Sequence, residues 1–158
     1  MSKLNKIGLN KDKSKTLVKS LNVLLADYQV MYMNVRGYHW NIKGHKFFEL
    51  HLKFEEIYNN LQIKIDEIAE RILTLGHTPV HSYSEYLKLS TVKENTDVND
   101  GIVALSDILK SFEEIILLQR KILSVSSEME DEGTNALMSD YIREQEKLIW
   151  MFSSYLSA

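Results

Sequence analysis

Apolar residues recur at spacings of three and four along almost the whole chain, and only six glycines and one proline interrupt 158 residues. An α-helix returns the same face to a core at that period, so the chain reads as all-α. The most regular stretch is Phe47, His51, Phe54, Tyr58, Leu61, Ile65, Ile68 and Ile72, closed by Gly76 and Pro79; it predicts a helix over about 46–75. Ahead of it, Leu17, Leu21, Leu24, Tyr28, Met31, Val35 and His39 form a stripe that predicts a helix over about 12–39. The Met31-Tyr32-Met33 cluster reads as core filling rather than a haem site, since these residues at helical spacing are ordinary core residues.

A polar stretch from His77 to Val98 follows, in which Ser82 precedes Glu85 by the three residues of a capping box, so a short helix is expected inside it. A third helix begins near Asn99 and carries Ile102, Leu105, Leu109, Phe112, Ile116 and Leu123 on one face, with Gln119 interrupting the stripe. A fourth follows Gly133, with Thr134 as its cap and Leu137, Met138, Tyr141, Leu148, Ile149, Phe152 and Tyr155 facing inward. Short, long and short connections predict a ferritin-like four-helix bundle whose one long crossover, between the second and third helices, carries the short helix. Residues 1–158 make a single domain, with a short basic tail at about 1–12.

Composition narrows the chemistry. The absence of cysteine excludes thiol catalysis, iron–sulfur clusters and thiolate zinc sites, leaving His, Asp and Glu as metal ligands. A chain this long buries enough surface to fold without a metal or a disulfide, so any metal would serve chemistry. No window approaches the roughly 18 apolar residues of a membrane span, and the opening MSKLNKIGLNKDKSK lacks a signal peptide's apolar core. An intracellular chain with no membrane contact is expected. The formal charge of -3 is unevenly divided: residues 1–20 carry +5 and the remainder -8. An acidic body attracts cations, and a basic tail suits phosphate or simple solvation.

All five histidines, His39, His45, His51, His77 and His81, precede residue 82, and no Glu-x-x-His occurs. The usual di-iron bundle, which needs that motif on two helices, is therefore excluded, and a metal site must come from the first two helices. An antiparallel hairpin centred near residue 45 sets His39 opposite His51, and neutral imidazole is a common metal ligand. Along the second helix, His51 with Glu55 and Asp66 with Glu70 are each spaced i, i+4 and so share a face. Glu55 and Asp66 lie only about 20° apart around the axis, yet His51 and Asp66 are about 22 Å apart along it. One chain cannot bring the two groups to one ion. Pairing the helix antiparallel with its own copy about a two-fold between residues 60 and 61 resolves this, because 51 then meets 70 and 55 meets 66. Two identical sites result, as an isologous interface requires.

At this point the residues match a known pattern. His39-Trp40-Asn41 with Gly44, then Phe48, Leu50, His51, Phe54, Glu55 and Tyr58, then Asp66 with Ala69-Glu70-Arg71, resemble the ferroxidase signature of the Dps proteins, the DNA-binding proteins from starved cells. Asp131-Glu132-Gly133-Thr134 and Glu146-Lys147 with Trp150-Met151 resemble the family's downstream segments, so the likeness spans essentially the whole chain.

The resemblance implies a hollow shell of twelve subunits that oxidises Fe(II), preferably with hydrogen peroxide, and stores Fe(III) oxide inside. It implies ligands His39, His51 and Glu55 from one subunit facing Asp66 and Glu70 of its two-fold mate, with Glu70 bridging. Asp66 and His39 would hold the first iron, and His51 with Glu55 the weaker second position. Trp40 has two readings, an interceptor of oxidising equivalents or packing at the helix end. Iron entry is expected through pores near the start of the fourth helix, lined by Asp131 and Asp140; Ala136 stands where an aspartate is frequent, and Glu132 is a substitute. Some lysine-bearing members bind DNA, which here would fall to Lys3, Lys6, Lys11, Lys13 and Lys15. A cytoplasmic location with nucleoid association follows from that reading. Two rival readings are a nucleoid-binding structural protein with a vestigial metal site and a metal-free helical interaction module; intact His39, His51, Asp66 and Glu70 argue against both. His77 and His81 receive no role.

Overall fold

The computed structural model describes residues 3–157. Five helices run in order: α1 (Lys11–Asn41), α2 (Phe47–Thr74), α3 (Tyr83–Leu89), α4 (Gly101–Glu128) and α5 (Glu132–Leu156). The four long helices lie within a residue or two of the periods that predict them, the scatter usual at helix ends. The short α3 starts at the expected cap, Ser82, whose side chain accepts from the Glu85 N–H.

Packing follows the apolar stripes. α1 packs against α2, α3 and α4, and α4 packs against α5. Leu21, Leu24, Leu25, Tyr28, Val35, Phe54, Leu61, Ile68, Ile115 and Met138 are fully enclosed. Gly44 makes the tight turn from α1 to α2 with φ of +106°, a conformation that a Cβ resists. Lys43 N–H in that turn donates to the Asn99 carbonyl at 2.9 Å, so the crossover ends at the same end of the bundle as the α1–α2 turn.

The crossover is fastened to α1 by side chains. Asp27, fully buried, accepts from Ser90 Oγ and from the Thr91 and Val92 N–H groups. About two turns further on, Asn34 donates to the Lys93 carbonyl and accepts from the Asn95 N–H. Irregular backbone laid over a helix is thereby supplied with hydrogen-bond partners.

Three expectations need correction. Gln119 does not interrupt the core: it is fully buried in a closed ring with Tyr28 and Gln145, each hydrogen-bonded to the other two at 2.5–2.7 Å. Those partners come from α1 and α5, so the polar group is satisfied only in the assembled bundle. The cap of α5 is Asp131, not Thr134; Thr134 N–H and hydroxyl both donate to the Asp131 carboxylate. Finally, the basic segment is no loose tail over its described part. Leu4 and Asn10 form an antiparallel bridge, the Asn5 side chain accepts from the Ile7 and Leu9 N–H groups, and Asn5 Nδ2 donates to the Leu75 carbonyl. This closed loop leads directly into α1, which Asn10 caps. Met1 and Ser2 lie outside the described residues.

Candidate metal centre

His39 sits near the end of α1 and His51 at the second turn of α2, and the hairpin stacks their rings with centroids 3.8 Å apart and planes 13° from parallel. Each ring is oriented by the backbone of the other's helix. His39 Nδ1 lies 2.8 Å from the His51 carbonyl, and His51 Nδ1 lies 2.7 Å from the His39 carbonyl. A carbonyl only accepts, so both Nδ1 atoms carry hydrogen, and in each neutral ring Nε2 keeps its lone pair. A metal-binding histidine is commonly held in this way, with the second nitrogen donating to a carbonyl or carboxylate. Phe47 stacks on the outer face of His51 at 4.8 Å, and Tyr58 sets its edge to His39 at 5.3 Å, so the pair is walled by rings.

The carboxylates divide as their spacing requires. Glu55 is half-buried one turn beyond His51, whereas Asp66 and Glu70 stand exposed further along α2. Among the described residues no group of three or more His, Cys, Asp or Glu side chains converges on a metal-sized site. The fold thus joins His39 to His51 and leaves Asp66 and Glu70 apart from them within the chain.

The other sequence-predicted residues are placed as follows. Trp40 is 57% exposed beside His39, with the Arg36 guanidinium 4.8 Å over its ring. Asp131 is enclosed and committed to Arg71, at 2.6 Å, and to the α5 cap. Both of its carboxylate oxygens, expected to face a pore, are thus engaged within the chain by Arg71 and Thr134. Asp140, Glu132 and Ala136 are exposed on α5, and Arg143 donates to Asp140 at 2.9 Å. His81 Nδ1 contacts the Pro79 carbonyl, and His77 is half-buried. Lys3, Lys6, Lys11, Lys13 and Lys15 are all exposed. Arg36 escaped the sequence reading; aromatic residues four positions before and after it, Tyr32 and Trp40, were the available signal.

A ferritin-like domain model matches residues 18–158. The chain is 44% identical over 148 residues to the DNA protection during starvation protein of Porphyromonas gingivalis, covering 94% of this chain and 93% of that one. It is 56% identical over 154 residues to an uncharacterized protein of Haemophilus influenzae, with 98% and 96% covered. Among solved structures, the Dps protein of Vibrio cholerae O1 superposes with a TM-score of 0.97 at 56% identity, covering 99% and 98%. The chain belongs to the Dps family. That Vibrio Dps protein is described as a member of a broad superfamily of ferritin-like diiron-carboxylate proteins. Dps from Staphylococcus aureus superposes with a TM-score of 0.88 at 33% identity, covering 91% of this chain and 97% of that one. The fold class expected from periodicity and loop lengths, a ferritin-like all-α bundle, is the one observed.

Proposed function

We propose that this Dps protein detoxifies and stores iron: twelve copies close a hollow shell, oxidise Fe(II) at sites shared across two-folds, and retain Fe(III) oxide inside. The observation that carries it is the histidine pair, two stacked imidazoles whose Nδ1 atoms are spent on backbone carbonyls and whose Nε2 atoms remain for a metal. Imidazole with carboxylate suits iron, and sparse ligation leaves room for an oxidant.

The exposed face of α2 supports the two-fold. Phe48, Leu52, Ile63 and Leu73 are 81%, 59%, 59% and 56% exposed and lie within about 60° of Asp66 around the helix. An apolar stripe of that kind on one helix face marks an interface. In the register centred between residues 60 and 61, Phe48 meets Leu73, Leu52 meets Ala69, and Tyr58 meets Ile63, each in the opposing copy. The same register delivers Asp66 and Glu70 of the partner subunit to Glu55 and His51.

Hydrogen peroxide is the preferred oxidant in this reading. Two Fe(II) ions held together each give one electron, the O–O bond breaks, and two hydroxides result, so no hydroxyl radical is released. The paired arrangement matters because a single Fe(II) supplies only one electron. Trp40, next to His39 in the chain and 57% exposed, would intercept an oxidising equivalent that escapes. Anaerobic loading with Fe(II) followed by stoichiometric peroxide tests the proposal, followed by absorbance and size-exclusion chromatography. Oxidation faster with peroxide than with air, with iron co-eluting with the shell, is the expected result; rates equal to buffer, or precipitated iron, overturn it.

A further inference from the structure

Arg36 stands one turn ahead of His39 on α1 and is held by aromatic rings rather than by an acid. Its guanidinium carbon lies 5.4, 4.8 and 5.5 Å from the ring centroids of Tyr32, Trp40 and Tyr58. Nη1 contacts the Tyr32 hydroxyl at 3.2 Å, while the buried Nε has no hydrogen-bond partner. The cations at the start of α2 and along it are each paired: Lys46 with Glu49, Lys53 with Glu56, Lys64 with Glu144 and Arg71 with Asp131. Arg36 has no ion pair among the described residues, although Glu94 lines the same groove. The terminal nitrogens of the guanidinium offer a fork that fits a carboxylate.

Glu55 lies one turn from Tyr58 within the chain, and the second copy brings further acids to the same level. Tyr58 touches both Arg36 and His39, and across the two-fold position 58 faces position 63. Asp66 of the partner subunit is one turn further, about 4.5 Å along the axis. We propose that Arg36 is a positioning residue that holds the carboxylate of Asp66 of the partner subunit when no iron is bound and competes with the incoming cation for it. This rests on the shared-site reading above. Each empty site gathers three carboxylates, from Glu55 and from Asp66 and Glu70 of the partner subunit, and one guanidinium offsets part of their repulsion. The same charge weakens cation binding, which favours passage of oxidised iron to the interior over retention at the site.

Titration of the iron-free shell with Co(II), which peroxide chemistry does not complicate, tests this by calorimetry and by the visible Co(II) bands. Arg36→Gln is expected to tighten Co(II) binding on the order of tenfold and to lower the KM for Fe(II), while Arg36→Lys restores the original affinity. Arg36→Met, which keeps an apolar stem between the rings, repeats the measurement should the glutamine variant fail to assemble. Binding unchanged or weaker in the uncharged variants overturns the proposal. Asp66→Asn separates the two readings. If it binds Co(II) like the parent, the shared site itself fails; if it loses binding while Arg36→Gln titrates like the parent, the role of Arg36 alone fails.

Discussion

Asp27 lies far from the histidine pair, yet it sets a carboxyl group at full burial. Its four donors come from Ser90, Thr91 and Val92, and burial nevertheless pushes its carboxyl above the ordinary 3.8. A raised native value means that the folded state binds this proton more readily than the unfolded chain. Stability is therefore lost as pH rises from about 3.8 through the raised value, and is level above it. Asp27→Asn keeps an acceptor for the same donors without the charge, so its stability relative to the parent should rise between pH 4 and pH 7. Asp27→Ala leaves the donors unpaired and should cost about 2–4 kcal/mol. Urea unfolding of the three proteins at the two pH values checks this; an asparagine variant whose relative stability does not change with pH refutes the sign.

At the scale of elements, the junction of α4 and α5 depends on a residue from α2. Arg71 Nε donates to Thr134 Oγ1 at 2.9 Å and Nη2 to Asp131 at 2.6 Å, where the Asp131 side chain is 1% exposed. Gly133 makes room for it, since a Cβ there would lie 2.7 Å from both terminal guanidinium nitrogens. Asp131→Ala removes the α5 cap and strands a largely buried guanidinium, so a loss of about 3–5 kcal/mol is expected. Asp131→Asn, which keeps the capping oxygen, should lose clearly less. Chemical denaturation measures both, and equal losses would mean that the cap contributes nothing beyond the ion pair. The same junction shows a limit of sequence reading. Asp131-Glu132-Gly133-Thr134 offers two residues of capping type, and the choice falls to Asp131 because Arg71, 60 residues away, meets it there.

At the scale of the whole molecule, the proposed sharing of the site between subunits makes a complementation experiment decisive. Chains carrying His39→Ala with His51→Ala, and chains carrying Asp66→Ala with Glu70→Ala, should each be inactive alone. Refolded together, mixed dimers regain one intact site in two, and Fe(II) oxidation should recover accordingly. Activity in the mixture no higher than in either parent would exclude the two-fold geometry. Any DNA binding by the proposed shell should run through the lysines of the closed loop and the start of α1, because the chain beyond residue 20 is formally -8. In such a shell those lysines would repeat on every subunit, so weak contacts would add. Replacing Lys3, Lys6, Lys11, Lys13 and Lys15 with Gln should abolish a gel shift at low salt and leave iron oxidation intact. A retained shift would place the DNA surface elsewhere.

The number of helices, their faces and the hairpin that sets His39 against His51 are written in the local period of the chain, because a helix forms through bonds reaching only four residues and shows its core face every three or four. The division of His51 and Glu55 from Asp66 and Glu70 is likewise legible, since 15 residues of helix hold them about 22 Å apart. The tertiary structure decided what satisfies each buried polar group. Gln119 breaks an apolar stripe in the sequence and completes a hydrogen-bonded ring in the fold; Asp131 looks like a surface acid and is enclosed by Arg71. The basic segment follows the same rule: its lysines look like a solvated tail, and Asn5 ties them down through the end of α2. Hydrophobic burial depends on which face a residue occupies, which the period records. The partner of a polar group depends on which distant residue arrives beside it, and that exists only once the helices have packed.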